Sequence, residues 1–211
     1  MHIGNGWRRR FGISPPPISS GKTARRQQDG FSANSVRRLP DFFSEERLDE
    51  IQSHVDALFK DQPEIPFIKK GDTGLTAKEV IDRSRYSDFF DELSIDYENS
   101  YVNVSKPRTE EGWHYDHSEY TLIVPVFLKN TDQGTVYSHF LRSDKGLLKK
   151  VTTALNFLTI FLARRKETFR TNDGLLIPGT KLYHSAPAVD PGAVRISLVV
   201  HLCTLAQRKQ P

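Results

Sequence analysis

Residues 176–200 read LIPGTKLYHSAPAVDPGAVRISLVV. Pro178-Gly179 and Pro191-Gly192 are turn dipeptides, and they bracket two runs of strand character, Lys181–Ala186 and Val194–Leu202. The first run carries His184. The second opens with Arg195, and the two-residue period of a strand puts Ser197 on the same face. Arginine is seldom buried without a partner. At the head of an apolar strand it implies either a surface ion pair or a bound carboxylate meeting its planar fork.

Other short strands precede this segment. Ser100–Val104 alternates, Thr121–Leu128 is β-rich around Pro125, and Gly134–Leu141 and Leu175–Ile177 follow, separated by Gly, Pro, Asn and Asp. Leu147–Leu162 is ambiguous, helical in its first half and strand-like over Phe157–Leu162. Upstream the texture is helical. Phe31–Leu39 reads as a strand and Pro40 as a turn. Ser44, with Glu46 and Arg47 after it, opens a helix expected to Phe59, its apolar period set by Phe43, Leu48, Ile51, Val55, Leu58 and Phe59. Thr76 with Glu79 opens a second, expected to Phe90. Helices first and many short strands after predict an α+β chain with a C-terminal sandwich or barrel.

The chain has 211 residues, 27% charged and 37% hydrophobic, which suits one domain with an arm. No run approaches the roughly 18 apolar residues of a membrane span, and no membrane partner is expected. A single cysteine, Cys203, excludes an internal disulfide and a Cys-rich zinc site. It suits a reducing compartment, so a cytoplasmic location is expected. The charge is uneven. Residues 1–40 carry eight Lys/Arg and one acid, Asp29, whereas the rest carry 22 Lys/Arg and 25 Asp/Glu. Residues 1–30 therefore read as a flexible basic arm, residues 31–211 as the domain, and nucleic acid is not indicated as a partner of the body.

Three of the seven histidines have an acid two residues on. His54/Asp56 lie in the first expected helix, where residues i and i+2 point about 200° apart and cannot grip one ion. His114/Asp116 and His117/Glu119 lie in or beside a strand, where i and i+2 share a face. The two pairs have opposite parity, so a continuous strand presents only one of them.

His114-Tyr115-Asp116, a long gap, His184, and Arg195-x-Ser197 together resemble the Fe(II)/2-oxoglutarate-dependent dioxygenases. Leu176–Ser197 resembles that family's "PG…H…P…G.R.S" stretch. Leu39–Ser44 is similar to the beginning of the prolyl-hydroxylase-like branch, and Trp113-His114 to the phytanoyl-type branch. The likeness covers about residues 38–202. It implies a double-stranded β-helix (a jelly-roll, cupin-like core, about residues 98–205) with the N-terminal helices packed on one sheet. It also implies that His114, Asp116 and His184 are the catalytic metal ligands, with three positions left for 2-oxoglutarate and O2. Arg195 and Ser197, with Tyr101 and Asn103, would hold 2-oxoglutarate, and Trp113 and Tyr115 would wall the substrate pocket. His114/Asp116 is preferred over His117/Glu119 because it directly precedes Thr121–Leu128, as in the family.

The implied reaction is oxidation of an unactivated C–H bond with release of succinate and CO2. An aspartate at 116 favours hydroxylation, desaturation or cyclisation over halogenation. Family members that demethylate nucleic acid carry a second Arg soon after the first, and residues 197–202 contain none. A small molecule, such as an amino acid or biosynthetic intermediate, is the first expectation for substrate. A protein or peptide is the second, and a non-enzymatic jelly-roll binding module is the alternative of another class.

Overall fold

The computed structural model describes residues 35–60, 67–69, 76–91, 93–105, 107, 110–143, 145–162 and 164–204. The expected arm, residues 1–30, lies outside them, as do residues 31–34 of the first expected strand. In chain order the elements are β1 (Arg37–Leu39), α1 (Glu45–Lys60), β2 (Phe67–Lys69), α2 (Ala77–Asp82), a 3-10 turn (Ser87–Phe90), β3 (Leu93–Ser105), β4 (Glu111–His114), β5 (Tyr120–Lys129), β6 (Gln133–Leu141), α3 (Gly146–Leu162), β7 (Arg164–Thr168), β8 (Gly174–Ile177), β9 (Leu182–Ala186) and β10 (Val194–Thr204).

The named strands pair antiparallel in two sheets. One has six strands in the order β1-β8-β5-β10-β3-β2, and the other has four in the order β4-β9-β6-β7. The central strands of the large sheet are buried on both faces, which explains their nearly continuous apolar sequence. Alternation then divides their side chains. Ile196, Leu198, Val200 and Leu202 of β10, with Val102 and Val104 of β3, join a core with Ile51 and Val55 of α1 and Val80 of α2. The opposite face of the large sheet contributes Ile123, Leu175 and Ile177 to a second core, with Tyr137 and Leu182 of the small sheet. The large sheet is thus the middle layer, with helices on one side and the small sheet on the other.

The helices begin as their sequence dictates. Ser44 Oγ accepts from the Arg47 amide at 3.2 Å, and Thr76 and Glu79 cap each other reciprocally. Just before α1, the amide of Asn172 side chain bonds both backbone groups of Phe43, each at 2.9 Å. Phe42 and Phe43 are fully buried there.

Four sequence expectations need correction. The helix expected over Thr76–Phe90 stops at Asp82, because the Ser84 hydroxyl takes the Ile81 carbonyl and the Arg85 amide turns to the Phe42 carbonyl; a 3-10 turn completes the segment. Leu147–Leu162 is helical throughout, with no strand over its second half. The sandwich strands begin at Leu93 rather than near 98. Strands β2, β4 and β7 are additional: two are very short, and β7 is the charged run Arg164-Arg165-Lys166-Glu167-Thr168, which has no apolar period.

Candidate metal centre

β4 and β9 are neighbours in the small sheet, and their register sets His114 directly opposite His184. The ring centroids lie 4.4 Å apart. After His114 the chain leaves the sheet, and the Asp116 amide donates to the Gly179 carbonyl at 3.1 Å. This returns the Asp116 carboxylate to both imidazoles: Oδ1 is 3.3 Å from His114 Nε2 and Oδ2 is 3.4 Å from His184 Nε2. One ligand atom from each of the three residues falls within 4.8 Å of the others.

The rings are oriented from behind. His114 Nδ1 lies 2.6 Å from the Gly112 carbonyl, and His184 Nδ1 lies 2.9 Å from the Leu182 carbonyl. A carbonyl only accepts, so each Nδ1 donates and each Nε2 faces the centre. Asp116 is held as well, since the Thr121 hydroxyl donates to its Oδ2, and Thr121 Oγ1 is also 3.3 Å from His201 Nδ1. Position 179 must be glycine for this approach: a Cβ would lie 2.6 Å from the Ser118 carbonyl oxygen and 2.9 Å from both Asp116 Cβ and Thr121 Oγ1.

Burial pushes the Asp116 carboxyl upward, but the His114 hydrogen bond, the His184 charge and the Thr121 hydroxyl outweigh it and hold it well below the usual range. Burial lowers His114, and Asp116, the Gly112 carbonyl and Glu111 more than reverse that, to about 9. Burial dominates at His184, which is lowered. Asp116 thus stays ionised and favours positive charge at His114, while burial opposes it at His184. Two nitrogens and one oxygen on one side of an ion are the donor set of a non-haem iron site with open positions.

The pocket continues to Arg195, Ser197, Tyr101 and Asn103 and has a volume of about 410 Å³, mouth included. Arg195 is 3% exposed. Burial lowers its pKa to about 10, which leaves it charged at neutral pH. Its guanidinium donates to the Gln133 carbonyl at 2.7 Å, to Ser105 Oγ at 2.8 Å and to the Pro187 carbonyl at 3.4 Å. These acceptors are neutral, so among the described residues no counter-charge is bonded to this buried cation. Two residues along the same strand, Ser197 Oγ is buried with no hydrogen-bond partner among the described residues. Burying a charge and a hydroxyl this way is costly unless an anion completes the set. A dicarboxylate reaching from the triad to Arg195 and Ser197 fits both needs.

No family model matches the chain, and no curated protein matches it. Solved structures do. HygX from Streptomyces hygroscopicus, with nickel and 2-oxoglutarate bound, is 13% identical over 82% of this chain and 84% of its own, with a TM-score of 0.58. SnoK, a non-heme alpha ketoglutarate dependent carbocyclase from nogalamycin biosynthesis, is 10% identical over 81% and 80%, with a TM-score of 0.59. A truncated form of the viral collagen prolyl hydroxylase of Paramecium Bursaria Chlorella virus-1 is 15% identical over 89% and 100%, with a TM-score of 0.52. The chain has the fold of the iron- and 2-oxoglutarate-dependent oxygenases.

Within this oxygenase fold the expected residues separate into two groups. His114, Asp116, His184, Arg195, Ser197, Tyr101 and Asn103 share one pocket. Tyr101 donates from its hydroxyl to Glu111 Oε1 at 3.2 Å; burial, then Glu111 and Asp116, push its pKa up and keep it protonated. Asn103 Oδ1 accepts from Ser105 Oγ at 2.9 Å, so Asn103 meets Arg195 through Ser105. Trp113 and Tyr115 do not line the pocket. Both pack on Tyr183, with centroids 5.5 and 4.8 Å away, because odd-numbered residues of β9 face away from His184. His117 is exposed and Glu119 Oε2 accepts from the Thr204 amide at 2.5 Å, so this pair is not assembled at the centre.

Sequence reasoning missed Thr121, Gly179, Glu111 and His201. A Thr beginning the strand after the HxD turn and a Gly in the turn before His184 are ordinary in isolation. Their roles arise from a contact between segments about sixty residues apart.

Proposed function

We propose that the chain is an Fe(II)- and 2-oxoglutarate-dependent oxygenase built on a double-stranded β-helix, and that it oxidises an unactivated C–H bond of a small molecule. When bound, Fe(II), 2-oxoglutarate and O2 supply an oxidative decarboxylation, to succinate and CO2, that is coupled to substrate oxidation. His114, Asp116 and His184 would hold the metal from one side. Arg195 would take the distal carboxylate of 2-oxoglutarate through its fork, with the Ser197 hydroxyl donating to the same group. Thr121 keeps Asp116 turned inward, the two backbone carbonyls keep both imidazoles aligned, and the sheets exclude water from the Arg195 end.

The observation that carries this reading is the occurrence, in one pocket, of a metal-competent triad and a buried arginine whose partners among the described residues are neutral acceptors. HygX and SnoK, whose structures are similar, support a small-molecule substrate, and HygX has also been solved with hygromycin B bound. A peptide substrate is the second reading, favoured by the similarity to the truncated viral collagen prolyl hydroxylase.

The test is an anaerobic visible difference spectrum. Fe(II) followed by 2-oxoglutarate is expected to give a broad charge-transfer band that neither gives alone, and His114→Ala and His184→Ala should each abolish it. A folded protein showing no band would sink the oxygenase reading in favour of a non-enzymatic binding module.

A further inference from the structure

Helix α3 is turned inside out. Asn156 is fully buried, and its side-chain amide donates to the Tyr115 hydroxyl at 2.7 Å. One turn earlier, Thr152 Oγ1 accepts from the Ser143 amide at 3.0 Å. The polar side of the helix therefore faces the outer surface of the small sheet. The opposite side is apolar and open: Leu147 is 77% exposed, Leu158 57%, Val151 46% and Leu155 39%. With 3.6 residues per turn, Leu147, Val151, Leu155 and Leu158 fall on one stripe. A contiguous stripe of this kind on a soluble protein marks an interaction surface.

The charge around the stripe identifies the partner. Between Asp144 and Glu167 there are six basic residues and no acid. Lys145, Lys149 and Lys150 lie at the start of the helix and Arg164, Arg165 and Lys166 just beyond its end, all exposed. Register puts Lys166 opposite Val136 and Val136 opposite Ser185, so Arg164 and Lys166 share the sheet face that α3 covers. A second copy docked on the stripe would set these cations against their own kind in either helix direction. The basic segment 1–40 is repelled for the same reason. An apolar stripe framed at both ends by cations complements an anionic lipid surface.

We propose that α3 is a membrane-surface helix, docking the protein on bilayers rich in anionic headgroups with its apolar stripe among the acyl chains. Among the described residues no helix is long and apolar enough to cross a membrane. The sequence expectation of no membrane partner rested on the lack of a spanning run, whereas a helix lying along the surface needs only a stripe.

Vesicle flotation of the full chain tests the proposal. Binding to phosphatidylcholine vesicles containing phosphatidylserine is expected, with much weaker binding to phosphatidylcholine alone and loss in high salt. The paired substitution Leu147→Asp/Leu158→Asp alters only well-exposed side chains and should weaken binding by roughly tenfold or more, with an unchanged circular dichroism spectrum. Leu147→Gln/Leu158→Gln should act in the same direction if the first pair perturbs folding. Lys149→Gln/Lys150→Gln should lessen the preference for phosphatidylserine. Absence of vesicle binding would overturn the proposal. So would binding that survives both leucine pairs, which would assign it to the basic segment 1–40. A concentration-dependent dimer, with no vesicle binding and lost in either leucine pair, would overturn it in favour of a second copy.

Discussion

Ser197 separates stability from binding. Its hydroxyl is buried yet has no hydrogen-bond partner among the described residues, so Ser197→Ala removes no bond seen there. We expect the melting temperature to hold or rise slightly. Affinity for 2-oxoglutarate should fall by roughly tenfold, since a hydrogen bond to a charged group is worth about 1.5–3 kcal/mol; calorimetry on the Co(II)-loaded protein measures both. A drop in stability with unchanged affinity would mean that the hydroxyl serves the fold. At this scale the sequence was legible wherever residue chemistry is rare. His114, Asp116, His184 and Arg195 are costly to bury and stand at informative spacings. Gly179 was not legible, because what it does is leave room for Asp116 and Thr121.

The elements show where patterns suffice. The strands β5, β8, β9 and β10 were visible because each is a β-rich run closed by turn residues. The helix beginning at Thr76 was visible at its start, where its capping box is local. Its end depends on the Phe42 carbonyl, supplied from more than forty residues away, and no window on the sequence contains that. The charged strand β7 is held by Glu167, which accepts from the Tyr137 hydroxyl at 2.7 Å and pairs with Arg38. Burial raises the Glu167 carboxyl, but those two partners hold it below 4.5. Its stabilisation is thus present above that value and lost as pH falls through the lower, folded-state pKa. Glu167→Gln should cost under about 1 kcal/mol near neutrality, because the pair is partly solvated. The variant should converge with the parent protein on acidification. Melting curves from pH 7 to pH 3 would reveal this, and a constant difference across the range would exclude the carboxylate as its origin.

Across the whole molecule, the large sheet carries a hydrophobic core on one face and the pocket on the other. The site is therefore part of the layer interface, and filling it should stabilise the complete domain. Thermal melts are expected to shift upward with Co(II), and further with 2-oxoglutarate only when the metal is present. At a hundredfold excess over the dissociation constant the gain is about 2.7 kcal/mol per ligand. A shift with 2-oxoglutarate alone, equal to that with both, would mean that Arg195 and Ser197 bind it without the triad. The three-layer arrangement itself was only partly legible. The order of helices before strands predicted α+β, whereas the strand order, which pairs β10 with both β3 and β5, is set by long-range register.

That register gives β10 the character of a reading frame. Arg195, Ser197 and Val199 line the pocket, while Ile196, Leu198, Val200 and Leu202 fill the core beneath the helices. A one-residue slip of register between them would exchange the two sets, sending a guanidinium into the hydrocarbon and isoleucine into the pocket. The strand can therefore change its spelling one letter at a time, whereas a change in its length must be absorbed by a bulge, such as the register shifts it already has against β5 and β3, to keep both faces in phase.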